Sequence, residues 1–362
     1  MFCGVCGITP SDPATIRKNR IVEECGMCTA ITMTTADFYM GRTLDHTCSY
    51  GEEVTITPRN FPLSFRHGPK LEHHFAFVGM ACVTEDFPLY YDGSNEHGLA
   101  MAGLSFADSV RYLPPAPGWD NVASFELLPR LLGQCRTVAE ARVLLEKIRV
   151  TDTAFSPQLP PSPLHWLLAD RQEALVIEPM ADGLHLYENP AGVLTNEPPF
   201  PEQLRRLSDG MIFSALPPEN RLAPRLKLPV YSYGLGAMGL PGDLSSPSRF
   251  LRAVFARENN LCGATEEESV SQFFHLLDFI SQPRGCTAIA KDVWEYTLYA
   301  SCCSTRKGIY YYRTYDAHRI CAVDLRREDP EGSALIRHPL QRKLSVFLQN
   351  ETARPCDHTD RS

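Results

Sequence analysis

Apolar and polar positions alternate or run apolar in the segments TAITMTT (29–35) and FYMGRTL (38–44), on either side of Thr35-Ala36-Asp37. Successive side chains of a strand face opposite ways, so this pattern predicts a hairpin with Cys28 at the start of its first strand. A second group of strands is predicted for HWLLAD, ALVIEP, GLHLYE and GVLTN, with turns at Asp170-Arg171-Gln172 and Ala181-Asp182-Gly183. A third comprises EYTLYASC, GIYYYRTY and RICAVDL. Helical periodicity is confined to a few places. Thr137 and Glu140 form a capping box ahead of Val138, Ala141, Leu145 and Ile148 on one face, and Thr265 with Glu268 opens a stripe of Val270, Phe273, Phe274 and Leu277. Ser245-Ser246-Pro247 supplies an N-cap and a first-turn proline for a helix carrying Arg249, Phe250, Val254 and Phe255. Groups of meandering strands with intervening helices predict a layered α+β fold, because a doubly wound sheet would alternate strand and helix strictly.

Proline-rich connections at 114–117, 157–163, 198–201 and 217–229 carry apolar residues throughout, so none is a flexible linker and one domain is expected. At 362 residues and 44% apolar content the chain can bury a substantial core. No apolar run approaches the ~20 residues needed to span a bilayer, and the basic N-terminus lacks the apolar stretch of a secretory signal. A cytoplasmic protein without membrane attachment is expected. A net charge of -8, with acids and bases interspersed, excludes a nucleic-acid surface, which demands clustered Lys and Arg. Thirteen cysteines, scattered through so long a chain, are expected to be mostly reduced. Cys302 and Cys303 are adjacent in a predicted strand, so they should face opposite ways and not share one buried cluster.

The stretch CGMCTAI (25–31) has two incompatible readings. Cys3-x-x-Cys6 and Cys25-x-x-Cys28 have the spacing of a four-thiolate zinc ribbon, although residues 7–24 offer few aliphatic anchors for its core. On that reading the protein is a zinc-binding interaction module on a non-catalytic fold. Alternatively, a chain beginning at Cys28 carries a thiol and an α-amine on one residue. The amine titrates near ~8, so its neutral fraction can take the thiol proton around neutral pH.

The segments MCTAITM, GRTLDHTCSYGEEVTITPRNF, FPLYYDGSNEHGLAMAGLSF, NPAGVLTNEPPF and GLGAMGLPGDLSSPSRFLRAVF, in this order from Met27 onward, resemble the choloylglycine hydrolase family of bile salt hydrolases and penicillin V acylases. The resemblance implies an N-terminal-nucleophile hydrolase, with two antiparallel sheets between helix layers in an αββα sandwich. It implies a domain over 28–362, with 1–27 an extension that is either a misplaced start or a removed propeptide. Cys28 becomes the nucleophile. Arg42 places a fixed positive charge beside its thiolate, Asp45 holds the terminal amine, Asn196 donates to the oxyanion and Arg249 helps stabilise the charged intermediate. Ser105 departs from the family, where asparagine or tyrosine is usual; if the position contributes its main-chain N–H, serine keeps the donor. The implied reaction is hydrolysis of glycine- or taurine-conjugated bile acids, with penicillin V, another N-acyl amide, or acyl transfer to an amine as alternatives. Phe61, Phe65 and Tyr233 are candidates to line a steroid-sized cleft, and the YSYGLG loop to sense the conjugate. No metal or organic cofactor is implied, since attacker, base and donors are all protein groups. Relatives suggest a homo-oligomer, commonly a tetramer.

Overall fold

A computed structural model of the protein describes residues 26–351. Strand β1 (Met27–Thr34) turns through residues 35–37 into β2 (Phe38–His46), in a register that sets Cys28 opposite Leu44 and Ala30 opposite Arg42. There follow β3 (Glu53–Thr57), β4 (Phe77–Thr84), β5 (Phe87–Asn95), β6 (Ala100–Ser105) and β7 (Asp120–Ala123), then helices α1 (Leu127–Gln134) and α2 (Val138–Leu145). After β8 (Ile148–Thr151) come β9 (Leu164–Ala169), β10 (Ala174–Met180), β11 (Gly183–Glu188) and β12 (Val193–Leu194). Helices α3 (Phe200–Arg206), α4 (Ser246–Glu258) and α5 (Glu266–Asp278) precede β13 (Thr287–Ala290), β14 (Val293–Ser304), β15 (Ile309–Thr314), β16 (Cys321–Asp324) and β17 (Ile336–Pro339).

Two antiparallel sheets make the inner layers. One runs β12-β1-β2-β14-β15-β16, with β13 on the end of β14; the other runs β11-β10-β9-β6-β5-β4-β3-β17. β1 and β2 lie across from β6, α4 and α5 cover the outer face of the first sheet, and α1 covers the second. The result is the expected αββα sandwich. Its stability comes from two apolar clusters. The larger joins the inter-sheet layer, with Ala30, Val78, Ala102 and Leu167, to the helix-facing Phe250 and Phe273. The smaller packs Leu128, Leu131 and Val138 against Trp166, Leu168 and Ile177. Each such large side chain removed from water contributes roughly 1.5–3 kcal/mol.

The helix starts follow local rules with one shift. Thr265 and Glu268 form the full reciprocal box at α5. At α2, Thr137 accepts from the Glu140 N–H, but the Glu140 carboxylate accepts from the Arg136 N–H instead of the cap. Ile148, placed by periodicity on the face of α2, begins β8; it is buried all the same. The reading of Cys302 and Cys303 needs correction, because both are buried and belong to one cluster. They do face opposite ways, Cys302 towards the charge of Glu266 and Cys303 towards that of Asp92. Helices cover one face of β14 and the second sheet covers the other, so alternation does not expose either.

Phe61 and Phe65 pack against the smaller cluster, whereas Cys28 belongs to the larger one, and Tyr233 is 97% exposed. Cys3, Cys6 and Cys25 of the zinc reading lie outside the described residues. Among the described residues, no group of three or more His, Cys, Asp or Glu side chains could hold a metal ion. No described helix is long and apolar enough to cross a membrane.

Candidate active site

The site is assembled at the centre of the first sheet, where β1, β2 and β14 run side by side. Gly41 allows β2 and β14 to approach: a Cβ there would lie 2.0 Å from the Ser301 carbonyl oxygen. The next residue, Arg42, is fully buried with its guanidinium clamped. Nε donates to the Thr43 carbonyl at 3.2 Å, Nη1 to those of Tyr91 (3.2 Å) and Gly103, and Nη2 lies 2.5 Å from the Cys28 sulfur. Burial works against its charge, but the Cys28 thiolate, Tyr299, Asp92 and Asp45 outweigh burial and hold the guanidinium above its ordinary pKa. Beneath it, the Asp92 carboxylate accepts from the hydroxyls of Tyr299, Ser301 and Tyr310.

Opposing effects act on Cys28. Burial pushes the thiol up; Arg42 pulls it down, Asp45 and Glu295 push it up, and the Ser105 main-chain N–H pulls it down. Arg42 is therefore the main group favouring thiolate in a setting otherwise hostile to it. Asn196, just past β12, is held by its surroundings. Its Oδ1 accepts from Arg249 Nη2 at 2.6 Å and from the Cys28 N–H at 3.0 Å. The amide nitrogen is thereby turned towards the Ser105 carbonyl at 2.9 Å and the Gly26 carbonyl at 3.5 Å. Arg249, on the first turn of α4, also donates to the Cys28 carbonyl and the Thr29 hydroxyl, each at 2.6 Å. A helix-face arginine is usually solvated, yet this one is fully buried.

Asp45 accepts from Thr297 Oγ1 (2.5 Å) and Gln282 Nε2 (3.0 Å). Burial pushes its carboxyl up, while Arg249 and these donors pull it down. The Cys28 N–H goes to Asn196 and not to Asp45, as a peptide nitrogen with one hydrogen can serve only one such acceptor. Periodicity did not reveal Glu295, which accepts from the Met27 N–H at 2.6 Å. Burial, reinforced by Asp45, pushes its carboxyl from the ordinary 4.5 up to about 8. Its one visible sign is a carboxylate inside the apolar run VWEYTLYASCC.

The six residues singled out from sequence (Cys28, Arg42, Asp45, Ser105, Asn196 and Arg249) thus converge on one thiol from β1, β2, β6, the end of β12 and α4. A sulfur beside a fixed cation and a main-chain donor, with an oriented amide alongside, is equipped to attack a carbonyl carbon and to receive the negative charge that develops on its oxygen.

Comparison with known proteins points the same way. The sequence profile of the linear amide C–N hydrolases, choloylglycine hydrolase family, matches residues 28–337. A bile salt hydrolase/transferase of Lactiplantibacillus plantarum is 46% identical over 324 residues, 90% of this chain and 100% of that protein. A bile salt hydrolase/transferase of Clostridium perfringens is 31% identical, covering 88% and 99% of the respective chains. The crystal structure of a mutant conjugated bile acid hydrolase from Clostridium perfringens superposes with a TM-score of 0.83 at 30% identity, over 90% of this chain and 100% of that one. Penicillin V acylase from Agrobacterium tumefaciens, 21% identical with a TM-score of 0.68 over 86% of this chain and 90% of that one, shares the fold. The chain belongs to the choloylglycine hydrolase family of linear amide C–N hydrolases.

Proposed function

We propose that the protein hydrolyses the amide bond of glycine- or taurine-conjugated bile acids, with Cys28 as an N-terminal nucleophile. The observation that carries this is the contact of the Cys28 sulfur with Arg42 Nη2, with the Asn196 amide fixed beside it by Arg249 and donating to the Ser105 carbonyl. The 46% identity to a bile salt hydrolase/transferase favours bile conjugates over other amides. In the reaction, the Cys28 α-amine takes the thiol proton and the thiolate attacks the acyl carbon. The oxyanion is held by the Ser105 N–H and Asn196 Nδ2, and the C–N bond breaks as the amine passes the proton to the departing glycine or taurine nitrogen. A thioester remains, which water cleaves to the free acid and the regenerated thiol; an amine in place of water would give acyl transfer.

Cys28 nitrogen can act as a base only when the Met27–Cys28 bond is absent, since a peptide nitrogen has no available lone pair. Residues 1–27 are therefore read as an extension missing from the active chain, in keeping with a family match that begins at residue 28. The same reading makes the enzyme a cytoplasmic homo-oligomer, a tetramer by resemblance, acting on a small molecule. The test is a product assay with glyco- and tauro-conjugates alongside penicillin V. Free bile acid should appear with wild type, none above background with Cys28→Ala, and far less than wild type with Cys28→Ser, because a hydroxyl is much harder to deprotonate than a thiol. Undiminished turnover by Cys28→Ala rules out the mechanism, and turnover of penicillin V alone rules out the substrate.

A further inference from the structure

Behind the Cys28 site, on the second sheet, a histidine and a glutamate are completely buried side by side and take no part in the reaction described above. His165, on β9, and Glu178, on β10, each have no exposed surface. His165 Nε2 lies 2.8 Å from the carbonyl oxygen of Thr195. That oxygen can only accept, so Nε2 carries a proton. Nδ1 lies 3.0 Å from Glu178 Oε1, which also accepts the Phe200 N–H at 3.0 Å. The ring of Phe106 stacks on the imidazole, with centroids 4.3 Å apart and planes 5° from parallel.

These contacts end on the residues next to the two oxyanion donors. Phe106 follows Ser105, and Thr195 precedes Asn196. The imidazole is wedged between these neighbours, so it sets the separation of the Ser105 main chain from the Asn196 amide. Glu178 acts on the same asparagine by a second route. It holds the N–H of Phe200, at the start of α3, and one turn later Gln203 Nε2 donates to the carbonyls of Asn196 (3.3 Å) and Glu197 (3.0 Å). Such a pair is a poor way to stabilise a core. Apolar side chains of similar volume are often as stable or more so, and among the described residues Glu178 Oε2 has no hydrogen-bond partner.

We infer that His165 and Glu178 are positioning residues for the oxyanion hole, holding the Ser105 N–H and Asn196 Nδ2 at the spacing that receives the acyl oxygen. The inference rests on the proposed amidase reaction. A donor displaced from where the oxyanion forms loses transition-state stabilisation and leaves ground-state binding largely unchanged, and loss of one oxyanion donor lowers kcat ~10²–10³-fold.

The test compares His165→Phe, His165→Gln and Glu178→Gln for kcat and KM on a glycine-conjugated bile acid. In parallel, Cys28 alkylation by iodoacetamide is followed by peptide mass, because it reads the thiolate, which Arg42 chiefly favours, and forms no oxyanion. His165→Phe keeps the ring stack and loses both hydrogen bonds. It should lower kcat about 30- to 100-fold, with KM and the alkylation rate each within about threefold. His165→Gln presents an N–H near the Nε2 position and should recover most of the loss. Should His165→Phe fail to fold, Glu178→Gln carries the test through an expected fall in kcat of about five- to tenfold with the alkylation rate within about twofold. The inference is overturned by kcat within about threefold of wild type in His165→Phe, by a loss confined to KM, or by alkylation falling in step with kcat. Full activity in Cys28→Ala would instead remove the amidase reading, and this inference with it.

Discussion

Replacing Arg42 with Gln removes the one cation that, among the described residues, is in direct contact with the Cys28 sulfur, and keeps an N–H donor for the neighbouring carbonyls. The contact is 2.5 Å long and Cys28 is 3% exposed, so the pair is shielded from solvent. With charge centres about 4 Å apart and an effective dielectric near 20, the attraction is about 4 kcal/mol. At a pH where the thiol form dominates, losing it cuts the thiolate population about a thousandfold, since each ~1.4 kcal/mol is a factor of ten. A more basic thiolate is also the better nucleophile, which recovers about half of that loss on a logarithmic scale and leaves a net slowing of about 30-fold. The assay is the second-order rate of Cys28 alkylation by iodoacetamide at pH 7, read by peptide mass to separate it from the other cysteines, with circular dichroism confirming the fold. Salt up to about 0.5 M should leave the wild-type rate nearly unchanged, because a buried pair is screened little. A variant rate within about threefold of wild type would refute the assignment of thiolate stabilisation to Arg42.

In the chain that retains Met27, the Glu295 carboxyl is raised from 4.5 to about 8, so the folded state holds a proton that the unfolded state releases. Its stabilising contribution is complete below pH 4.5 and is lost as pH rises towards 8; Glu295→Gln, whose Oε1 still accepts from Met27, should flatten the fall in Tm across that window, and an unchanged Tm–pH curve sinks the argument. Ser105 enters the site through its main chain, its N–H favouring the thiolate and its carbonyl accepting from Asn196. Ser105→Ala should therefore leave kcat within about twofold, and a loss of about tenfold or more would show that the hydroxyl takes part.

Local patterning was legible from the outset. The alternating and apolar runs on either side of Thr35-Ala36-Asp37 marked the β1–β2 hairpin, and Thr265 with Glu268 marked the start of α5, since each reports forces acting within a few residues. Resemblance supplied the candidate site residues, motif by motif. Alternation failed at Cys302-Cys303 because it says which way a side chain points and not whether another layer waits there.

What the sequence determined by itself is a set of strands and helices with one face to bury, and a cysteine whose own α-amine could serve as its base. The tertiary structure alone decided that Cys28 meets Asn196 across 168 positions and Arg249 across 221, and that Glu295 and the His165–Glu178 pair stand close by. Electrostatic and hydrogen-bonding forces act over a few ångströms of space. No periodicity along the chain records which distant strands a sandwich will bring that close.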